Sequence, residues 1–124
     1  MVRASLLCML SLLVAACGAG VAAWDYPIVA GYYLSDAGGD NRMIVYKGAT
    51  IADSAIVIDA RVDNYIVSGS RIFVARRPWF FITNENGASS AELSPDCEFW
   101  TIDTETKAVA KLASNDQRPD LRCK

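Results

Sequence analysis

The feature that most narrows what this chain can fold into is its punctuation. From residue 30 onward, Gly, Asn, Asp, Ser and Pro recur every eight to twelve positions, and the runs between them are rich in β-branched and aromatic side chains. No window after the first two dozen residues carries the 3.6-residue apolar period of a helix for more than a few positions. The expected fold is therefore all-β: a small antiparallel meander or partly closed barrel of about six to eight short strands.

Taken in order, residues 30–35 form the first run, with Tyr32 and Leu34 on one face and Tyr33 on the other. Asp36-Ala37-Gly38-Gly39-Asp40-Asn41 is a loop, and Arg42-Met43-Ile44-Val45-Tyr46-Lys47 returns as its hairpin partner. Residues 51–54 are ambiguous, and 55–61 read as a third strand that Val62-Asp63-Asn64 turns into Tyr65-Ile66-Val67-Ser68. Gly69 permits either a turn or a bulge before Arg71-Ile72-Phe73-Val74-Ala75-Arg76. Pro78 interrupts pairing, so Trp79-Phe80-Phe81-Ile82-Thr83 is either a separate edge strand or an aromatic loop.

Residues 84–96 are polar and turn-rich, the longest candidate loop and the natural place for function. The last hairpin alternates most cleanly. Phe99, Thr101 and Asp103 share one side of the pleat and Trp100 and Ile102 the buried one, before Ala108-Val109-Ala110-Lys111-Leu112 returns. Residues 113–122 have room for one turn of helix.

The N-terminal region is of a different kind. Met1-Val2-Arg3 supplies one positive charge, and thirteen uncharged, mostly apolar residues follow it and end in small ones, as in a secretory signal. Val14-Ala15-Ala16-Cys17 resembles the lipobox of bacterial lipoproteins. That resemblance implies a diacylglycerol on the Cys17 sulfur and cleavage before it, so that 1–16 is signal, 17–29 a lipidated tether and 30–124 a single β-rich domain. The chemistry suits cysteine, whose thiolate is the nucleophile that accepts the lipid, and two or more acyl chains hold a protein durably on a bilayer. Two other outcomes fit the same residues. Cleavage after Val21-Ala22-Ala23 would release a soluble protein beginning at Trp24, and Ala4 to Ala23 is an uncharged stretch as long as a bilayer span.

Four cysteines stand at 8, 17, 97 and 123. Processing discards Cys8 and commits Cys17 to lipid or loses it, which leaves Cys97 and Cys123 to form one disulfide in an exported chain. A metal site is a poor alternative, because the chain has no histidine and this pair lacks the close spacing of zinc ligands. The net charge of -2 becomes -3 when Arg3 leaves with the signal, which offers nothing to attract nucleic acid. No cofactor is expected.

Gly31-Tyr32-Tyr33-Leu34, Asn64-Tyr65-Ile66-Val67 and Phe99-Trp100-Thr101-Ile102-Asp103, with Val109 after it, resemble segments of small bacterial lipoproteins of uncharacterised function. The resemblance implies a cell-envelope location, at the outer membrane facing the periplasm in a cell that has one, since Gly18 stands where a retaining aspartate would be. A secreted or periplasmic protein is the alternative. No activity or catalytic residue follows from the resemblance.

Site chemistry is sparse. Asp36, Asp40 and Asn41 depart from the spacing of a calcium loop and read as turn residues. No serine sits in a G-x-S-x-G elbow, and histidine is missing as general base. The cluster Arg76-Arg77-Pro78-Trp79-Phe80-Phe81, with Arg76, Arg77, Trp79 and Phe80 as its candidate binding residues, holds the residue types enriched at protein-binding hot spots, although the same residues serve equally as core aromatics behind a basic turn or as a membrane-facing skirt. The favoured expectation is a non-enzymatic envelope lipoprotein that binds another protein, as accessory subunit, inhibitor or immunity factor. The alternative, a hydrolase of cell wall or a small ligand, requires at least two carboxylates converging in a pocket.

Overall fold

The structure, a computed structural model, describes residues 24–124, so the signal, Cys8 and Cys17 lie outside the described residues. Its ten strands are β1 (Trp24–Val29), β2 (Tyr32–Asp36), β3 (Arg42–Tyr46), β4 (Ala55–Ile58), β5 (Val62–Ser68), β6 (Arg71–Arg76), β7 (Trp79–Thr83), β8 (Ser89–Leu93), β9 (Glu98–Asp103) and β10 (Val109–Leu112). Every pairing is antiparallel. One sheet runs β1-β2-β3-β4, a second β10-β9-β6-β5, and β7-β8 pair only with each other. The fold is thus the expected all-β meander, with open sheets rather than a closed barrel.

Two strands exceed the expected eight, one with an alternation that a proline and an alanine turn obscure and one with none. β1 occupies residues assigned above to the tether, so the ordered domain begins before residue 30. Its hairpin to β2 turns on Ala30 and Gly31, at φ 51° and 86°. Two positive φ values fit the tight turn that matches strand twist, but alanine does not advertise it. A Cβ on residue 31 would also come within 2.9 Å of the Tyr46 ring, so Gly31 is fixed by space as well as by φ. Pro27 is tolerated because β1 is an edge strand. β8, in the segment expected to be a loop, is Ser-Ser-Ala-Glu-Leu with almost no buried face, and so it has no apolar alternation to read.

The two four-stranded sheets pack face to face. Tyr32, Ile44 and Ile58 from the first meet Val62, Ile72, Val74 and Ile102 from the second in one cluster of fully buried side chains. A second cluster lies on the opposite face of the second sheet, where Leu121 of the C-terminal segment covers Phe73 and Ala75, with Phe99 and Leu112 beside them. β6 is therefore buried on both sides, which explains its unbroken apolar run Ile72-Phe73-Val74-Ala75. It also explains why Phe99 is half-buried although it faces away from Trp100 and Ile102. The tail is held by consecutive turns rather than helix: Leu121 N–H donates to Arg118 O at 2.9 Å, and the Asn115 side chain donates to Leu121 O at 3.0 Å. The expected Cys97–Cys123 disulfide pins it in place.

Val62-Asp63-Asn64, expected to turn the chain, instead lies inside β5 as a bulge, with Asp63 the extra residue between two registered neighbours. The bulge aims the Asp63 carboxylate inward, where its side chain is 1% exposed. Arg61 Nε lies 2.7 Å from it, Arg77 Nε 3.7 Å and Arg42 Nη2 3.8 Å, and the Lys124 backbone N–H donates to it at 3.2 Å.

Removing one partner of a buried ion cluster strands the others, so Asp63→Ala is expected to lower the unfolding free energy by about 3–5 kcal/mol in urea titration. Replacing both Cys97 and Cys123 with alanine opens a loop of sequence separation 26 and is expected to cost about 3.5 kcal/mol, read in the same titration.

Candidate binding cleft and arm

Between β6 and β9, which are neighbours in the second sheet, the chain makes an excursion out of that sheet, and the excursion is the functional candidate. Arg77 still pairs by backbone, exchanging N–H···O bonds with Arg61 at 3.0 and 3.1 Å. Pro78 then supplies no donor, and the chain leaves the sheet. It runs out along β7, turns at Asn84 to Ala88 with Gly87 at φ 81°, and returns along β8. Ser94 N–H donating to Pro78 O at 2.9 Å closes the base of this arm.

The register across the arm sets Trp79 opposite Leu93 and Phe81 opposite Ala91 on one face, and Phe80 opposite Glu92 on the other. The Trp79 indole N–H donates to the backbone carbonyl of Asp40 at 3.2 Å, which fastens the arm to the loop between β2 and β3. An open cleft of about 560 Å³ results, walled by Trp79, Phe81 and Met43 and floored by Asp59, Ala60 and Arg76. That size lies within the range of small-molecule and side-chain pockets.

The charged groups at its floor are already committed. Arg76 Nε donates to Glu98 at 2.9 Å, its Nη1 donates to Asp59 O at 3.3 Å, and the guanidinium stacks over the Trp100 ring. Glu98 also accepts from the Trp100 indole at 3.1 Å and pairs with Lys111 at 3.3 Å. Burial pushes the Glu98 carboxyl up, but hydrogen bonds from Arg76, Trp100 and Lys111 and the charge of Arg76 outweigh it and hold the group below its ordinary value. The arrangement is thus built to hold Arg76 still, and what it offers a ligand is the apolar wall.

A second open cleft, about 610 Å³, lies on the outer face of the first sheet between Asp25, Val45, Lys47, Ile51 and Ile56. Lys47 forms a short ion pair with Asp25 and lies over the Tyr33 ring. Its hydrogen bond, helped by one from Ser35 and by its charge and opposed by burial, draws the Asp25 carboxyl below the usual range. Each of these two clefts has one carboxylate in its lining, Asp59 and Asp25 respectively. Neither brings together the carboxylate pair that glycoside hydrolysis uses. Asp36 accepts the Gly38 N–H at 3.0 Å and Asp40 pairs with Arg61 at 3.1 Å, as turn residues do. Among the described residues, no three His, Cys, Asp or Glu side chains gather as a metal site.

The four hot-spot residues of the sequence are therefore separated by role. Arg76 and Arg77 are turned into ion pairs with Glu98 and Asp63, Trp79 is half-buried as the clasp, and Phe80 is 40% exposed. Phe81, which ends the same cluster but was not among the four chosen residues, is 78% exposed and the most prominent apolar side chain of the arm. Its signal was available: Asn86-Gly87 is a hairpin turn with runs of similar length on either side, and pairing the aromatic run with a polar one leaves its side chains unbacked.

No family model, no curated protein and no solved structure matches the chain.

A group whose folded pKa lies below its unfolded value adds stability that is complete above the unfolded value and is lost as pH falls through the folded one. Glu98→Gln is expected to be less stable than the parent at neutral pH, with the gap closing on acidification below about pH 4. Urea midpoints between pH 7 and pH 2.5, taken for both proteins, check this.

Proposed function

We propose that this chain is an envelope lipoprotein anchored through Cys17, and that its β-domain is a non-enzymatic module that binds another protein through the β7–β8 arm. The observation that carries the binding reading is the exposure of Phe80 and Phe81 on a two-stranded ribbon that no other strand backs. A protein with a well-packed sandwich gains nothing in stability from two phenylalanines in water, and here each face of the ribbon presents one, an aromatic side chain of the kind enriched at interaction surfaces. The ribbon also has an unpaired edge on each side, where an extended segment of a partner can add main-chain hydrogen bonds. The cleft under the arm is of a size to accept one large apolar side chain of that partner. A subunit of an envelope complex, or a protein that the module inhibits or neutralises, fits these requirements. The anchoring reading is supported by the Val14-Ala15-Ala16-Cys17 motif behind an apolar, singly charged leader.

The arm lies outside both core clusters, so binding and folding separate cleanly. The double variant Phe80→Ala/Phe81→Ala is expected to unfold within about 0.5 kcal/mol of the parent, as surface changes do. A photo-crosslinking residue at position 81, introduced in the native host, is expected to trap a discrete envelope protein that the same residue at exposed Val109 does not trap; equal trapping at both positions defeats the arm assignment. Intact mass of the detergent-extracted protein checks the anchor: a lipid increment on a chain beginning at Cys17 is expected, and an unmodified chain beginning at Trp24 removes it.

A further inference from the structure

β1 carries two large aromatic side chains that the domain does not use. Trp24 is 72% exposed and Tyr26 52% exposed. They stand two residues apart on the pleat face that also carries Leu34, beyond the area that the second sheet covers. The charges around them are balanced. Asp25, on the other face of β1, is paired with Lys47, and Asp36, which stands opposite Trp24, stands opposite Arg42 on its other side. Ringed aromatic side chains with a polar handle, set in a segment without net charge, match the headgroup zone of a bilayer, where one end of the ring is wet and the other apolar.

Two further observations select lipid over a protein occupant. β1 is an edge strand, but Pro27 at its middle lacks the N–H that a docking strand would need, so growth of the sheet past β1 is blocked. Cys17 precedes Trp24 by seven positions, which even fully extended reach only about 25 Å. A lipid on Cys17 therefore keeps Trp24, at the start of β1, within about 25 Å of the membrane surface.

We infer that β1 lays Trp24 and Tyr26 into the headgroup region of the membrane to which Cys17 is anchored, so that the domain lies against the bilayer in one orientation instead of swinging on its tether. This rests on the anchoring reading of Cys17. Its consequence reaches the arm. Trp24 is in register with Asp36, and Asp36 with Arg42, the two ends of the loop whose Asp40 carbonyl holds Trp79. Seating β1 on the membrane thereby fixes how the arm is presented.

The test supplies the lipid chemically. Every strand lies within residues 24–124, so a chain beginning at Cys17 carries the whole fold, and with Cys97 and Cys123 bridged its one free thiol is Cys17. That protein is coupled to phosphatidylcholine vesicles containing a maleimide-headgroup lipid, and tryptophan emission is compared with that of Trp24→Phe, which removes the exposed indole and leaves half-buried Trp79 and Trp100. The expected result is a blue shift on coupling, loss of iodide quenching and new quenching by lipids brominated high in the acyl chain, all absent in Trp24→Phe. Emission and iodide access unchanged by coupling would overturn the inference, as would shielding of Trp24 that already occurs without vesicles and grows with protein concentration, which would make the occupant a second copy. Because coupling does not depend on the host, this result stands apart from the mass measurement: an unlipidated native chain defeats the anchoring reading, whereas unshielded Trp24 on a chain tethered to lipid defeats the contact itself.

Discussion

The carboxylate of Asp63 is the point on which the rest of the structure depends. Four parts of the chain that are far apart in sequence end there: the start of β3 through Arg42, the link between β4 and β5 through Arg61, the end of β6 through Arg77, and the C-terminal segment through the Lys124 N–H. Burying a charge in this way contributes little net stability, because desolvation opposes the attraction. What it adds is discrimination. A register slip in β5 would carry Asp63 to the other face and leave three guanidinium groups without their common partner. The bulge that turns Asp63 inward also re-aims the strand, so one extra residue positions both the charge and the sheet corner.

That corner sets the geometry of the arm. Arg61 reaches Asp63 with one side of its guanidinium and Asp40 with another, at 2.7 and 3.1 Å. Asp40 in turn accepts the Trp79 indole through its backbone carbonyl. Arg77, the last residue before Pro78 diverts the chain, is tied to the same centre by its side chain and to Arg61 by its backbone. The arm thus departs from a rigid base although its own strands are backed by nothing. Rigidity at the base and exposure along the ribbon are what a protruding recognition element requires, since a preorganised arm loses less freedom on binding.

How much of this was legible follows from where each residue's partner lies. The buried alternation of Tyr32 and Leu34 and of Trp100 and Ile102 is a local pattern, and the strands it marks lie where they were expected, while residues 79–83, open between edge strand and aromatic loop, form a strand. β8 was hidden because a strand that faces water carries no period-2 apolar signal, and β1 because Pro27 interrupts its alternation of Trp24, Tyr26 and Ile28 and its turn is built on an alanine. Cys97 and Cys123 were legible by arithmetic, but the layer they create was not: Phe99 reads as solvent-facing until Leu121 is placed on it from twenty-two positions away. Asp63 and Asn64 have the composition of a turn, and only pairing with β6 makes them a bulge. Arg76 and Arg77 have the composition of a binding site, and nothing near them in sequence announces their pairing with Glu98 and Asp63. In each case the missing information is a long-range contact, whereas the exposure of Phe81 was open to a closer local reading.

The economy of the interior narrows where function can reside. β6 is covered on both faces, the inner faces of both sheets are spent on each other, and the outer face of the second sheet is closed by the disulfide-pinned tail. Of the large aromatic side chains, the strongly exposed ones are Trp24 and Tyr26 on β1 and Phe80 and Phe81 on β7. A domain of about a hundred residues has a small core and cannot leave large apolar groups outside it without losing stability and solubility. Both pairs flank the same hairpin of β2 and β3, one beside its first strand and the other clasped to its loop. The two exposed patches are therefore geometrically coupled through a single rigid element, and whatever seats the first one determines the direction in which the second one faces.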